Sequence, residues 1–186
     1  MNATVPLATF AFETERLRMR PLEEGDEALF VGLYTDAETM RFVGPALTRE
    51  EAARTFRRML SQGRRGKPMF LTIVEKSFGH KVGMCGVPAF DAHAADLEIG
   101  IMLCREARGR GYSKEGLAGL TQRLFATLPV QELWVEYASE HEIVDRFMRS
   151  IGFSPNATRS SRAKRIRSAY RGTWVHNGRA TAEICA

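Results

Sequence analysis

The stretch that most constrains the fold runs from Ala95 to Gly119 and reads ADLEIGIMLCREARGRGYSKEGLAG. Its first part alternates apolar and other residues with a period of two, which predicts a β-strand whose successive side chains point to opposite faces. A glycine-bearing turn over Arg108–Gly111 follows, and the leucines after it have the spacing of one helix face. A strand, a glycine turn and a helix in this order aim backbone N–H groups and the positive end of the helix at one point, which suits a phosphate.

Two widespread phosphate-binding motifs are absent from the sequence. The P-loop pattern GxxxxGK[ST] does not occur, and the dinucleotide pattern GxGxxG fails because Lys114 stands where its last glycine belongs. What remains is a Gly-x-Gly turn directly after a strand that carries a glutamate, Glu98.

In that combination the stretch resembles the signature of the GNAT superfamily, the acyl-CoA-dependent N-acyltransferases. More narrowly, it is similar to the branch that includes the ribosomal-protein N-terminal acetyltransferases. The opening segment ETERLRMRPL also resembles the start of that branch. The resemblance is dense at 95–119 and thin elsewhere. The matching residues of the strand and loop are Glu98, Ile99, Gly100, Leu103, Glu106, Gly109, Gly111, Tyr112, Ser113 and Glu115.

Hydrophobic periodicity and capping signals predict the order β-α-α-β-β-β-α-β-α-β-β. This is the order that the GNAT fold would give, and the resemblance implies a single α/β (α+β) domain. Its mixed, mostly antiparallel central sheet would be flanked by about four helices. We expect one domain over 1–186 with an N-terminal extension at 1–14. The last two strands are predicted at 170–176 and 179–185, joined by a turn at Asn177-Gly178.

Composition limits the class of protein without identifying it. The 186 residues are 44% hydrophobic and 26% charged, which fits one globular domain with a core. No apolar run approaches the ~20 residues of a membrane helix, and the N-terminus lacks the features of a signal peptide, so we expect a cytoplasmic protein. The net charge of +5 fits a polyanion such as coenzyme A, but it fits nucleic acid equally well.

The cysteines do not indicate a disulfide or a metal site. Cys85, Cys104 and Cys185 are widely spaced without a CxxC motif, and we expect reduced thiols that serve as small hydrophobic residues. We predict no metal. Three histidines are likewise scattered without ligand spacing: His80, His93 and His176.

The resemblance implies that the backbone amides of 108–113 hold the pyrophosphate of acyl-CoA, with added contacts from the side chains of Arg108 and Arg110. It also implies that a backbone N–H near Met102 or Leu103 holds the tetrahedral oxyanion. The alternative is a glycine turn that serves only to reverse the chain. The predicted acetyl-CoA-binding residues are Met102, Leu103, Arg108, Gly109, Arg110, Gly111, Tyr112, Ser113 and His141.

Glu98 is the predicted catalytic residue. A carboxylate inside an otherwise apolar strand is costly unless it is paired or functional, and by resemblance it occupies the position of a general base. The alternative is a glutamate on the solvent side of a half-exposed strand. By the same resemblance, Phe147 occupies the usual position of a tyrosine general acid, and Tyr137 or a water is left to substitute for it. His141 stands where the family often has an asparagine that contacts pantetheine; an exposed histidine at a helix end is the alternative.

A basic run extends from Arg159 to Arg167. Such a run is usually a solvated loop, which is our expectation here. In the GNAT fold the run would lie near the acceptor opening, where it could attract an acidic protein or an RNA-bound substrate. Aromatic residues that stack on bases are not interleaved in it, which disfavours nucleic-acid binding.

The leading hypothesis is an enzyme that transfers acetyl from acetyl-CoA to a primary amine by direct attack in a ternary complex. The acceptor would be an amine-bearing peptide, protein or small molecule, and the enzyme a possible homodimer. One alternative is a non-catalytic acyl-CoA-binding module that regulates a partner. Another is a basic nucleic-acid-binding domain, whose affinity would depend steeply on salt.

Overall fold

The computed structural model describes residues 5–41, 43–63 and 68–177. Cys185 and the strand predicted at 179–185 lie outside these residues. The described strands are β1 (Phe12–Glu13), β2 (Leu17–Pro21), β3 (Met69–Glu75), β4 (Lys81–Val87), β5 (Asp96–Glu98), β6 (Gly100–Leu103), β7 (Glu132–Ala138), β8 (Ser154–Pro155) and β9 (Lys164–Tyr170). The described helices are α1 (Glu27–Thr35), α2 (Ala37–Met40), α3 (Arg49–Gly63), α4 (Tyr112–Thr127), α5 (Glu142–Ser150) and α6 (Arg171–Asn177).

The strands form two sheets. The first is antiparallel throughout, in the order β1-β2-β3-β4-β6. The second has the order β5-β7-β9-β8, and its β5–β7 pair is parallel while the other pairs are antiparallel. The predicted class, a mixed and mostly antiparallel α/β fold, is therefore confirmed.

Helices cover both faces of the first sheet. The predicted apolar face of α4 is buried through Leu117, Leu120 and Leu124, which belong to the larger hydrophobic core. On the other face, α1 and α3 bury Phe30 and Phe56 in a second, smaller core. Each sheet face is thus shielded from water by amphipathic helices, as the burial of apolar surface requires.

One continuous segment, 96–103, passes from one sheet to the other at Ile99. Before that point Glu98 pairs with Trp134 of β7, and the Ile99 N–H donates to the Trp134 carbonyl at 2.8 Å. After it, Gly100 pairs with Gly86 of β4. The two sheets therefore part beyond Ile99, and an opening is left between β6 and the second half of β7.

The C-terminal part differs from the prediction. The last two described strands are β8 and β9. Of the strand predicted at 170–176, only Tyr170 lies in a strand, and the rest belongs to α6, which also includes Asn177 of the predicted turn. Tertiary contacts favour the helix: the Arg171 Nε donates to the Val130 carbonyl at 2.8 Å, and the Trp174 ring meets Phe153 edge-on at 5.8 Å. Local β propensity is a weaker determinant than such contacts.

Part of the predicted N-terminal extension packs as an integral part of the fold. Phe10 is fully buried in the larger core, and β1 pairs with β2. Among the described residues, every helix is too short or too polar to cross a membrane.

Candidate active site

The turn between β6 and α4 contains two glycines in the left-handed region of backbone space. Gly109 has φ +72° and Gly111, which precedes the first turn of α4, has φ +81°. A residue with a Cβ is strained in this conformation. The Gly-x-Gly spacing is therefore a backbone requirement of the turn.

This turn presents a concave row of free N–H groups. The first helical hydrogen bond of α4 runs from the Glu115 N–H to the Gly111 carbonyl at 3.2 Å. The Arg110 N–H closes the hydrogen-bonded turn at 108–109, whereas the amides of Gly109 and 111–114 have no backbone acceptor within the described part of the chain. Unpaired amides at the start of a 16-residue helix, next to left-handed residues, are an arrangement that favours an anion.

The arginine side chains of the turn are paired with carboxylates. Arg108 contacts Glu38 at 3.2 Å and donates to the Thr39 hydroxyl. Arg110 contacts Glu75 at 2.8 Å. Both were expected to point at a phosphate. In this structure the side chains are engaged elsewhere, and it is the backbone of the turn that faces outward.

The back of the turn is braced by Tyr112, which was predicted to bind acetyl-CoA, and by Glu75, which the sequence analysis did not single out. The Tyr112 ring is buried and lies between the guanidiniums of Arg16 and Arg110, 4.9 and 4.8 Å from its centre. Its hydroxyl donates to Glu75 at 2.5 Å, and this bond holds the pKa of the Glu75 carboxyl below its ordinary value. Arg16 in turn contacts Glu115 at 2.7 Å. The side chain of Tyr112 is therefore structural, and only its amide faces the concavity.

The opening between the sheets is lined by alternate amides of β6. The Cys104 N–H donates to Val82 in β4 at 2.9 Å. Because the direction of N–H groups alternates along a strand, the amide of Met102 also faces β4. Those of Ile101 and Leu103 face the opening. Of the two predicted oxyanion donors, Leu103 is the one whose N–H is directed there.

Glu98 lies at the point where the sheets part, and its side chain is half-buried. Burial is the main reason that its pKa is raised; the nearby charge of Glu136 adds to the effect and that of Lys164 opposes it. A Cβ built on neighbouring Gly100 would meet no atom within 4 Å, so open space adjoins the carboxylate. A base with a raised pKa beside open space is an arrangement found in active sites.

Helix α5 borders the opening with His141 and Phe147. His141 precedes the first turn of α5, and its pKa is lowered, mainly by burial and secondly by the charge of Arg41. Phe147 packs against the larger core and offers no hydroxyl. The helix thus brings no acidic O–H to the position where the family usually has a tyrosine.

Tyr137 belongs to a buried polar network. Its hydroxyl donates to Asp145 at 2.6 Å and accepts from Arg167 at 3.1 Å. Burial and the bond to Asp145 raise the pKa of Tyr137 to about 12. Arg167, with 7% of its side chain exposed, also donates to the Phe153 carbonyl at 3.0 Å.

The basic run is an exposed loop only in its first part, 159–163. From Lys164 it is strand β9, which contains the buried Arg167. Arg159 contacts Asp96 at 3.0 Å and lies over the Trp134 ring, and Lys164 is paired with Glu136. The expectation of a solvated loop was wrong for 164–167, because the acidic partners come from other elements, which a one-dimensional charge pattern does not reveal.

Cys85 and Cys104, the cysteines in the described part of the chain, lack the properties of a nucleophile. Cys85 is buried, and burial raises its pKa to about 12. Cys104 is half-buried, and its pKa is also raised, chiefly by burial. Within 5–41, 43–63 and 68–177, no group of three or more potential ligands could hold a metal ion.

Comparisons with known proteins agree with this geometry. Residues 16–154 match the acetyltransferase (GNAT) domain family. The protein YkkB of Bacillus subtilis strain 168 is 31% identical over 118 residues, which are 62% of this chain and 65% of YkkB. That match spans slightly less than two thirds of the curated relative.

Two solved structures share the fold. Spermidine N-acetyltransferase from Vibrio cholerae, in complex with CoA and spermine, superposes with a TM-score of 0.73 at 14% identity, covering 86% of this chain and 98% of that one. The RimL ribosomal-protein alpha-N-acetyltransferase in complex with coenzyme A gives 0.73 at 13% identity, covering 86% and 97%. Since the family match extends over most of the sequence, the chain belongs to the GNAT acetyltransferase family.

Proposed function

We propose that this protein transfers the acetyl group of acetyl-CoA to a primary amine by direct attack in a ternary complex. The observation that carries the proposal is the parting of the sheets at Ile99. It leaves the free amides of β6, the concave turn before α4 and the carboxylate of Glu98 around one opening.

The donor would bind mainly through the backbone. The pyrophosphate of coenzyme A fits the amides of Gly109 and 111–114, where charge-assisted N–H bonds and the helix dipole both favour an anion. The pantetheine arm would extend along the opening toward the amides of Ile101 and Leu103. His141, at the edge of the opening, is a proposed contact for that arm.

The thioester carbonyl oxygen and the attacking amine would then contact different groups of the protein. The Leu103 N–H is a preorganised donor for the oxyanion that forms on the carbonyl, and such donors are among the strongest sources of catalysis in acyl transfer. Glu98 lies on the face that carries Gly100 and open space, where an amine would enter. We propose that Glu98 accepts the proton that the amine loses, directly or through a water.

The amount of base catalysis required depends on the acceptor. At pH 7, roughly a tenth of a free α-amine is neutral, but for lysine the neutral fraction is under about one part in a thousand. Glu98 therefore suffices most readily for a weakly basic amine, such as a peptide N-terminus. The printed names of two structural relatives, one acting on a ribosomal protein and one on spermidine, support a proposed acceptor class that includes both peptide and small-molecule amines.

The leaving thiolate would depart without a tyrosine acid. Phe147 cannot donate a proton, and the Tyr137 hydroxyl donates to Asp145. A thiol pKa of about 8.5 makes the thiolate a tolerable leaving group near neutral pH, so protonation by water is adequate.

Acetyl-CoA binding measured by calorimetry, followed by thiol release against a panel of amines and peptides, tests the proposal. We expect binding and turnover with at least one acceptor class. Binding with no turnover on a broad panel would favour the non-catalytic regulatory module. Absence of binding would reject the assignment of the turn at 108–113.

A further inference from the structure

Arg108 connects the proposed coenzyme A turn to the short helix α2. Its Nε donates to the Leu103 carbonyl at 3.4 Å, beside the amide proposed to hold the oxyanion. The two terminal nitrogens of the same guanidinium reach Glu38 at 3.2 Å and the Thr39 hydroxyl. One planar side chain thus joins β6 to α2.

The α2 end of this link is itself fixed. Asp36, which precedes α2, accepts from the Thr39 N–H at 3.0 Å and from the Thr39 hydroxyl. It also lies 3.7 Å from Arg108. Thr39 is therefore held between a cap on its own helix and the guanidinium from the turn. A shift of the turn would be transmitted to the first residues of α2.

The other end of α2 lies close to α5. Arg41, directly after α2, is near enough to His141 for its charge to lower the pKa of that histidine. Helix α2 thus lies between the turn, at its start, and His141 before α5, at its end. We take this position to be on the acceptor side of the proposed active site.

From these contacts we propose that Arg108 is a positioning residue that links occupancy of the turn by coenzyme A to the placement of α2 on the acceptor side. This proposal rests on the proposed function, since it requires coenzyme A at 108–113. It assigns the Arg108 side chain to α2 and leaves the pyrophosphate to the backbone amides.

A neighbouring arginine provides a matched control. Arg105 contacts the same carboxylate, Glu38, at 3.2 Å, but 71% of its side chain is exposed against 34% for Arg108. The substitutions Arg105→Gln and Arg108→Gln each remove one positive charge that contacts Glu38. Of these two substitutions, only Arg108→Gln also removes the bonds to Leu103 and Thr39.

The test is hydrogen exchange of the full-length protein with and without coenzyme A, combined with calorimetry of coenzyme A binding. In the wild type and in Arg105→Gln, we expect saturating coenzyme A to slow exchange at 36–41. In Arg108→Gln that ligand-dependent protection should be lost, while the Kd for coenzyme A changes by no more than about twofold, since the proposal leaves the pyrophosphate to backbone amides that the substitution retains. Glu38→Gln should lose part of the protection, and the double variant should lose no more than Arg108→Gln alone, because coupled residues are not additive.

Other outcomes overturn the inference. If Arg108→Gln weakens coenzyme A binding about tenfold or more, and protection at 36–41 persists at saturation, the side chain is a phosphate ligand. If coenzyme A leaves exchange at 36–41 unchanged in the wild type, the turn and α2 are not linked. If the wild type does not bind coenzyme A at all, it is the proposed function that fails. Circular dichroism of each variant shows that the fold is retained.

Discussion

The Tyr137 hydroxyl donates to Asp145 Oδ1 at 2.6 Å, and this bond fixes β7 to α5 beside the opening. Arg167 completes the network from β9 by contacting Asp145 at 2.9 Å. Three elements that form one side of the proposed active site are therefore held together by buried, mutually satisfied polar groups. Tyr137 therefore has a structural role in this network.

Tyr137→Phe should leave kcat within about threefold of the wild type, because its hydroxyl proton is committed to Asp145. The free energy of unfolding should fall by about 1 kcal/mol, the usual net value of one hydrogen bond. Steady-state thiol release and urea denaturation measure the two effects. The exposed Tyr170 offers the control Tyr170→Phe, which should alter neither. A hundredfold loss of kcat in Tyr137→Phe would instead identify this tyrosine as the general acid.

Asp145→Asn should destabilise the fold by about 3 kcal/mol, because it leaves the buried guanidinium of Arg167 without its charge partner. Bonds from Arg167 and Tyr137 hold the pKa of Asp145 far below its ordinary value. A carboxyl with a lowered folded-state pKa stabilises the protein above its unfolded pKa, and this contribution is lost as pH falls through the folded value. Thermal denaturation between pH 7 and pH 2 should therefore show a weaker acid dependence in Asp145→Asn than in the wild type. If the Tm of Asp145→Asn and that of the wild type fell equally with pH, the ion pair of Asp145 would not be a source of the acid dependence.

Glu98→Gln should lower kcat by about a hundredfold, within the range for loss of a general base, with little change in acetyl-CoA affinity. In the wild type, activity should rise with pH through the pKa of Glu98, which burial and Glu136 place above the ordinary value. Glu136→Gln should shift this rise in activity to lower pH, because it removes a negative charge near Glu98. It also removes the carboxylate that is paired with Lys164, whose positive charge then favours the ionised form of Glu98. Profiles of kcat/KM against pH provide the measurement. If kcat/KM still rises with pH in Glu98→Gln, the rise does not come from the titration of Glu98.

Glu98→Gln should also raise Tm near neutral pH. A carboxyl whose folded-state pKa is raised stabilises the fold only below its unfolded pKa, and this contribution is lost as pH rises through the folded value. Thermal denaturation at pH 7 checks this. A lower Tm would show that the carboxylate has stabilising partners that the structure does not contain.

Gly109→Ala should abolish most coenzyme A binding, because it forces the turn away from its left-handed conformation. Gly79, in the turn between β3 and β4, provides a close control. It has φ +70°, and a Cβ built on either glycine would meet no atom within 4 Å. Both substitutions should cost about 1–2 kcal/mol of stability, but only Gly109→Ala should weaken binding by calorimetry. Equal affinities in the two variants would remove the turn from the donor site.

Cys85→Ala and Cys104→Ser should each leave kcat within about twofold. The raised pKa values of both thiols leave little thiolate at neutral pH, which is consistent with direct attack. Mass spectrometry after mixing with labelled acetyl-CoA, without acceptor, should show no acetyl group on either cysteine. A stable acetyl-cysteine that the acceptor discharges would establish an acyl-enzyme route instead.

Local sequence patterns predicted the features that depend on residues close together in the sequence, such as the start and the end of a helix. The capping box at Thr48 is present: the Glu51 N–H donates to the Thr48 hydroxyl at 3.2 Å, and the Thr48 N–H donates to Glu51 at 2.9 Å. Gly152 ends α5 with φ +89°, as expected of a C-terminal glycine. At Gly119, a Cβ would lie 2.5 Å from the Phe12 ring, so α4 packs against β1 too closely for a side chain there.

Features set by tertiary pairing could not be found in this way. The apolar alternation of 96–103 continues through Ile99 without interruption, so it does not show that the strand changes sheets there. The start of strand β9 was not predicted within the basic run. An arginine is expected at the surface unless its buried partners, here Asp145 for Arg167, are known. For the same reason the sequence indicated an anion-binding turn, but not that the carboxylates of Glu38 and Glu75 already hold its arginines.

The concave turn before α4 is built from main-chain amides, and a main chain is common to every amino-acid sequence. Apart from the two left-handed glycines, its recognition of an anion places almost no demand on side-chain identity. In the proposed donor site, nearly every side chain around the turn could therefore change without altering the amides that would hold the donor. The fold itself is shared with a TM-score of 0.73 at 13% identity. On this proposal, substitutions on the face that carries Glu98 would select a new acceptor while the donor site is retained.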